Sequence, residues 1–79
     1  MRSLDDELRA LSKADADLMD ADARIQHQID LIVELERDGH DTRAAKKLLA
    51  VFRETRAAMQ GHRDLIAELV ERMTAERGG

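Results

Sequence analysis

The segment "ELERDGHDT", residues 34–42, is where helix-forming sequence gives way to turn-forming residues. Gly39 suits the left-handed residue that follows a helix C-terminus, because glycine adopts positive φ at little steric cost. His40 then spans the corner, and Asp41 or Thr42 can cap a second helix by accepting a bond from a free backbone N–H. We therefore predict one all-α domain over residues 1–79, with a helix at about 3–37, a turn at 38–40 and a helix at 41–76.

The same corner has a second interpretation, a metal or catalytic loop. Glu36, Asp38, His40 and Asp41 carry the oxygens and the imidazole that such a loop requires. The segment lacks the alternating ligand spacing of a calcium loop, and no other His lies within helical reach. The sequence favours a plain turn. A peptide-binding tip is the next alternative, and a metal or catalytic loop is the weakest.

Apolar residues recur on both sides of the turn at alternating spacings of three and four, which is typical of helices that pack lengthwise. The first half contributes Leu4, Leu8, Leu11, Leu18, Ile25, Ile29 and Ile32. The second half contributes Ala45, Leu48, Phe52, Met59, Ile66, Leu69 and Met73. A short connection makes the two helices antiparallel. The predicted fold is a coiled-coil-like hairpin in which facing residue numbers add to about 77.

Polar residues interrupt both apolar series, and the predicted register places the interruptions opposite one another. Asp15 then faces His62, and Asp22 faces Thr55. Paired polar groups inside a seam can fix register and partner orientation, although their burial costs stability. We hypothesise that Asp15 and His62 form such a pair. The alternative is that these residues lie at the edge of the seam and reach water.

Further apolar residues flank the predicted seam, which makes the apolar surface wider than one hairpin can cover. The candidates for an oligomer face are Met19, Val33, Leu35, Leu49, Val51, Ala58, Leu65 and Val70. A second copy would cover this surface in a two-fold symmetric four-helix bundle. A different partner protein is the competing possibility.

Composition excludes several classes of function. The chain has no Cys, so disulfides and thiolate metal sites are excluded. It also has no glycine-rich phosphate loop and no paired-His zinc spacing, so we predict no enzymatic activity and no cofactor. No apolar run approaches the roughly 20 residues of a membrane span, and the N-terminus lacks an apolar signal-peptide core. We therefore expect a cytoplasmic protein with no membrane association.

Charge is distributed unevenly along the chain. Residues 1–39 carry a net charge of −6 and residues 40–79 a net charge of +2, which favours pairing of the two helices. The second half contains a basic stretch that could contact nucleic acid: Arg43, Lys46, Lys47, Arg53, Arg56 and Arg63. The chain as a whole is acidic, and no aromatic residue outside the core is available to stack on bases. Nucleic-acid binding is the weaker alternative, and a solvated helix surface is the stronger one.

The stretch "LIVELERDGHDTRAAKKLLAVFRETRAAMQGHRDLI", residues 31–66, resembles a pattern in short, uncharacterised proteobacterial proteins. In these proteins an "LE-x-DGHDT" corner is followed by a Leu-Leu pair and later by an "HRD"-like step. The resemblance implies a helical hairpin and a bacterial origin, and it implies no activity. The size and hairpin plan are also similar to those of Rop-like dimeric four-helix bundles, without a match to their RNA-contacting residues.

Three functions from different classes remain open at this stage. The leading one is a non-catalytic interaction module that dimerises and presents helix faces to a partner protein, as a small regulator. The second is a nucleic-acid-binding bundle that uses the basic stretch. The third is a structural subunit of a larger helical assembly.

Overall fold

The computed structural model describes residues 2–78 and consists of two long α-helices. Helix α1 spans Leu4–Arg37 and helix α2 spans Arg43–Gly78. Cross-helix contacts join Asp15 to Arg63 and Glu36 to Lys46, so the partner's number rises as the α1 number falls. The helices are therefore antiparallel, in a rod with extents of 62 × 18 × 15 Å. The prediction of an all-α helical hairpin is confirmed.

Helix α1 begins with a capping box, in which two backbone N–H groups find side-chain acceptors. The Ser3 hydroxyl accepts from the Asp6 N–H, and the Asp6 carboxylate accepts from the Ser3 N–H, both at 3.2 Å. The Ser3 N–H, and next the Arg9 guanidinium and the Ser3 side chain, lower the pKa of Asp6 by hydrogen bonding to its carboxylate. The acidic first turn, which ends at Glu7, also interacts favourably with the positive end of the helix dipole. Ser3 is thus the N-cap of α1.

The turn ends α1 in a Schellman motif, which satisfies carbonyl groups that the helix itself leaves free. The His40 N–H donates to the Leu35 carbonyl at 2.9 Å, and the Gly39 N–H donates to the Glu36 carbonyl at 3.1 Å. Gly39 has a φ of 78°, the only positive φ among the described residues. The glycine is required at this position because an L side chain disfavours that conformation.

Helix α2 begins at Arg43, two residues later than the sequence predicts. The reason is that Asp41 acts from outside the helix: its carboxylate accepts the Arg43 N–H at 3.0 Å, two residues along the chain. The Thr42 carbonyl then accepts the first helical bond, from the Lys46 N–H at 2.9 Å. Both predicted capping residues thus contribute, with Asp41 supplying its side chain and Thr42 its backbone.

The two helices meet along a pair of heptad series whose members are all buried or half-buried, and we call these two series the seam. The α1 series is Leu4, Glu7, Leu11, Ala14, Leu18, Ala21, Ile25, Gln28, Ile32 and Leu35. The α2 series is Thr42, Ala45, Leu49, Phe52, Arg56, Met59, Arg63, Ile66, Val70 and Met73. Pairing the two series in antiparallel order gives facing numbers that add to 77, as predicted. The register inferred from the turn therefore agrees with the burial pattern.

Four of the fourteen predicted apolar seam residues nevertheless fall outside the seam: Leu8, Ile29, Leu48 and Leu69. Leu8, Leu48 and Leu69 are exposed, and the seam uses the neighbouring Glu7, Leu49 and Val70 instead. The predicted and observed series share every second position and differ by one residue at the positions between. At those positions apolar content alone favours the predicted series, because its side chains include Leu8, Leu48 and Leu69. The consequence is a thin core in which Leu18 and Ile32 are the buried apolar residues among those described.

Candidate interaction surface

Three ion pairs cross from α1 to α2, and two of them involve arginines of the seam. The Arg63 Nε lies 2.8 Å from the Asp15 carboxylate, and the Arg56 guanidinium binds Asp22 in the same way one heptad away. These carboxylates raise the pKa of both arginines by hydrogen bonding, and next by Coulomb attraction. The hypothesis that Asp15 pairs with His62 is therefore wrong, and Asp22 binds Arg56 rather than facing Thr55.

Small residues on α1 make room for these arginines. The register places Ala14 opposite Arg63 and Ala21 opposite Arg56, so each long side chain crosses a residue that fills little of the seam. The charged end then reaches the carboxylate one position further along α1, where it is partly solvated. An arginine can bury its methylene stem in this way while its guanidinium remains hydrated. The polar layers of the seam are thus arginine–alanine layers.

Two polar residues that the sequence did not single out are buried in the seam. The Gln28 side chain donates from Nε2 to the Ala45 carbonyl of α2 at 3.0 Å. Glu7 is also buried, and its carboxylate lies 2.8 Å from Nε of the exposed Arg2. Both residues occupy the heptad positions that the apolar pattern passed over. A count from Leu4 that begins with a step of three, and then alternates four and three, would have found them.

Carboxylates neutralise most of the basic stretch. Arg43 binds Asp41 at 2.8 Å and Lys46 binds Glu36 at 3.0 Å, and Arg56 and Arg63 form the cross-helix pairs already described. A phosphate group would have to compete with a carboxylate for each of these four cations. Of the six basic residues, Lys47 and Arg53 have no ion-pair partner within residues 2–78. The arrangement gives little support to a nucleic-acid face.

The outer side of α2 carries a second heptad series, which we call the α2 stripe. Its members are Leu48, Val51, Thr55, Ala58, His62, Leu65 and Leu69, all of which are exposed. Val51 is 52% exposed and Leu65 is 66% exposed, so α1 does not cover these side chains. Exposed apolar side chains aligned along one helix face mark a site for another helix or protein, because isolated ones would be scattered. The α2 stripe is therefore the candidate functional surface.

An open groove runs between the α2 stripe and α1. Thr55, Ala58 and His62 form one wall, Ala10 and Asp17 lie on the other, and its volume is about 580 Å³. Met59 and Ile66 of the seam also line it, so their half-buried side chains are accessible from this side. The groove continues toward the turn past Phe52. It is a long apolar channel, and its shape suits a packed helix better than a small-molecule substrate, for which enclosed sites are typical.

The predicted oligomer-face residues divide into three groups. Leu35, Leu49 and Val70 belong to the seam and are half-buried within the hairpin, and Leu49 also lines a second open groove on the opposite side. Met19 and Val33 are exposed on α1, on the side away from the groove. The residues that fall on the α2 stripe are Val51, Ala58 and Leu65. The predicted surface is thus divided between the α2 stripe and the opposite side of the hairpin, where Val33 and Leu49 line a second open groove of about 590 Å³.

The turn residues show no arrangement that would bind a metal ion. Within residues 2–78, no group of three or more His, Cys, Asp or Glu side chains is placed to hold one. Asp41 is engaged by the Arg43 guanidinium and N–H, which lower its pKa. His40 is exposed and donates its backbone N–H to the end of α1. The geometry of the corner is that of a capped turn.

Comparison with protein-family models, with curated proteins and with solved structures finds no match to this chain. Over the described residues, neither helix has an apolar segment long enough to cross a membrane.

Proposed function

We propose that this chain is a non-catalytic helical interaction module, a small cytoplasmic regulator of bacterial origin that acts by binding protein through the α2 stripe. The observation that carries the proposal is the alignment of Leu48, Val51, Leu65 and Leu69 on one uncovered helix face. Fully burying a Leu or Val side chain contributes about 1.5–3 kcal/mol. A helix packed along this face would therefore gain several such contributions.

The hairpin also supplies the rigidity that an interaction surface needs. The capping box, the Schellman motif and the Asp15–Arg63 and Asp22–Arg56 pairs all act away from the α2 stripe. The stripe residues thus have no role in holding the two helices together, and they are available to a partner. This separation supports a binding surface over apolar residues left over from an incomplete core.

The proposal is tested with Leu65→Asp, which places a charge in the α2 stripe at an exposed position. Met19→Asp is the matched control, because Met19 is 73% exposed on α1 and lies off the stripe. We expect Leu65→Asp to abolish self-association in sedimentation equilibrium, or retention of a lysate protein by the immobilised chain. Both variants should keep the helical circular dichroism of the wild type. The proposal would be refuted if the wild type neither self-associates nor retains a lysate protein, so that it does not differ from Leu65→Asp or Met19→Asp.

Two alternatives are weaker on the same structure. A nucleic-acid-binding bundle would need cations free to contact phosphates, and four of the six candidates already bind carboxylates. A structural subunit of a larger helical assembly would use both outer sides of the hairpin. A stable assembly of discrete mass supports the interaction module over that alternative, because a subunit with two open sides grows into larger species.

A further inference from the structure

We propose that the occupant of the α2 stripe is a second copy of this chain, which packs its own α2 antiparallel against the first. This proposal rests on the proposed function and adds the partner, the direction and the register. The resulting dimer would pair helices α2 with α2 across a two-fold axis, with one α1 on the outside of each. Three features of the α2 stripe support it.

The first feature is that the α2 stripe is nearly symmetric about its middle. It reads Leu48, Val51, Thr55, Ala58, His62, Leu65, Leu69, with apolar residues at both ends and small or polar residues at the centre. A two-fold axis requires one surface to be complementary to itself. An antiparallel partner meets that requirement, since each apolar end then covers the opposite apolar end. A parallel partner would instead place His62 beside His62.

The second feature is the side-chain volume in each layer. The α2 stripe has two kinds of heptad position, one with Leu48, Thr55, His62 and Leu69 and the other with Val51, Ala58 and Leu65. In an antiparallel pair each kind faces the other, so the possible registers differ by whole heptads. One of these sets Leu48 against Leu65 of the second copy and Val51 against His62. Near the axis it sets Thr55 against Ala58. Every central layer then combines a larger with a smaller side chain or two apolar ones, which fills space evenly.

The third feature is charge. In this register, Lys47 of each chain lies beside Glu68 of the second copy, and the symmetry produces this pair twice. Both residues are exposed, and neither has an ion-pair partner within residues 2–78 of its own chain. A shift by one heptad in one direction brings Glu54 against Glu68, and a shift in the other direction brings two Glu54 together. Charge complementarity therefore selects one register from three.

The same register also fills the groove. The residues on the inner flank of the stripe are Phe52, Met59 and Ile66, whose half-exposed side chains line the groove walls. In this register Phe52 lies beside Met59 of the second copy, and the two-fold symmetry produces this contact twice. The second α2 would thus cover both the stripe and the groove. The inner flank of the stripe is apolar, whereas the opposite flank carries the charged residues Lys47, Glu54 and Glu68. This is the distribution expected for a helical bundle.

Charge reversal tests the proposed register without disturbing the hairpin. Lys47→Glu and Glu68→Lys each replace two attractive pairs with two repulsive ones, and we expect each to raise the dimer Kd roughly tenfold at low salt. The double variant, Lys47→Glu with Glu68→Lys, should restore the wild-type Kd. The two positions are about 31 Å apart along α2 at the usual helical rise, so compensation within one chain is impossible. Sedimentation equilibrium gives the Kd, and circular dichroism verifies that each variant is folded.

Cysteine cross-linking tests direction independently, because the native chain has no Cys. In the antiparallel register, Val51→Cys faces His62→Cys of the second copy, while two copies of either variant hold their thiols about 16 Å apart. Mixing the two variants under oxidation should therefore give mixed disulfide dimers in preference to same-variant dimers. Preferential same-variant disulfides would show a parallel dimer and overturn the proposal.

The remaining outcomes separate this proposal from the proposed function. A wild-type chain that stays monomeric at all accessible concentrations, but retains a lysate protein only when Leu65 is intact, would overturn the second copy and leave the interaction module standing. A dimer whose Kd is unchanged by the charge reversals would overturn the register. A monomer that retains nothing would overturn both.

Discussion

Leu18→Ala measures how much of the stability of the hairpin resides in the seam. Leu18 is 7% exposed on the inner face of α1, whereas its neighbour Met19 is 73% exposed. Leu-to-Ala changes in protein cores cost about 2–5 kcal/mol, with the lower values where the surroundings can collapse. A seam between two helices is open along both sides, so the surroundings can relax readily. We expect a loss of about 2–3 kcal/mol in the free energy of unfolding.

Met19→Ala is the matched control for this prediction. It truncates a large side chain on the same turn of the same helix, and Ala raises the helix propensity by a similar small amount in both variants. Because Met19 is exposed, its truncation should change stability by less than about 0.5 kcal/mol. The contrast between the two variants therefore isolates burial from the effects of helix propensity and side-chain size.

The assay is urea unfolding followed by far-ultraviolet circular dichroism, at two protein concentrations. The concentration series is needed because association stabilises the folded state by mass action. In a thermal scan the loss in Leu18→Ala corresponds to a melting temperature lowered by roughly 10–20 °C, given about 4–8 °C per kcal/mol for a domain of this size. Equal losses in the two variants would show that the seam does not contain Leu18, and would refute the assignment of the inner face of α1.

Three further predictions concern the turn and the polar layers. Gly39→Ala should lower the free energy of unfolding by about 1–2 kcal/mol, because the added side chain meets no clash but residue 39 must keep a positive φ. Gly61→Ala should raise the free energy of unfolding by about 0.5–1 kcal/mol in the same assay, because Gly61 is equally open and lies within a helix. A loss of stability in both would refute this account of the turn. Asp41→Asn tests the lowered pKa of Asp41: a folded-state pKa below the ordinary value of 3.8 contributes stability that is present above 3.8 and is lost as the pH falls through the folded value. The difference in urea midpoint between wild type and Asp41→Asn should therefore narrow below pH 3.8 and stay constant above it; a constant difference at all pH values would contradict this assignment. Arg63→Ala should lower the urea midpoint, because both its stem and its ion pair are lost. His62→Ala should lower the midpoint less, because His62 is exposed. The reverse order would restore His62 as the partner of Asp15.

The predictions about the turn succeeded because they depend on local chemistry. A glycine that follows a helical segment and precedes short polar residues has few conformations that satisfy the freed backbone groups. The antiparallel arrangement and the register then follow from the length of the connection. Ser3 was likewise identifiable as an N-cap because its acceptor and the acidic first turn are adjacent in the sequence.

The residues of the candidate surface were less predictable. Leu48 and Leu69 were assigned to the seam, and they lie on the α2 stripe instead. Helix α2 has apolar residues at neighbouring positions, such as Leu48 and Leu49, so two apolar series with the same seven-residue period run along it. The sequence pattern therefore establishes that α2 has two apolar faces without distinguishing the one that packs on α1 from the one that stays open.

The chain by itself determined the two helices, the capped turn at Gly39 and the register in which facing numbers add to 77. Only the tertiary structure decided which of the overlapping heptads is inside. Its choice places Ala14 and Ala21 opposite the two arginines, so that Arg63 and Arg56 reach Asp15 and Asp22 at a hydrated edge. The alternative heptad would have set both aspartates inside the seam against His62 and Thr55, where an incompletely paired charge is costly. With these arginines and aspartates so placed, the α2 stripe is left exposed.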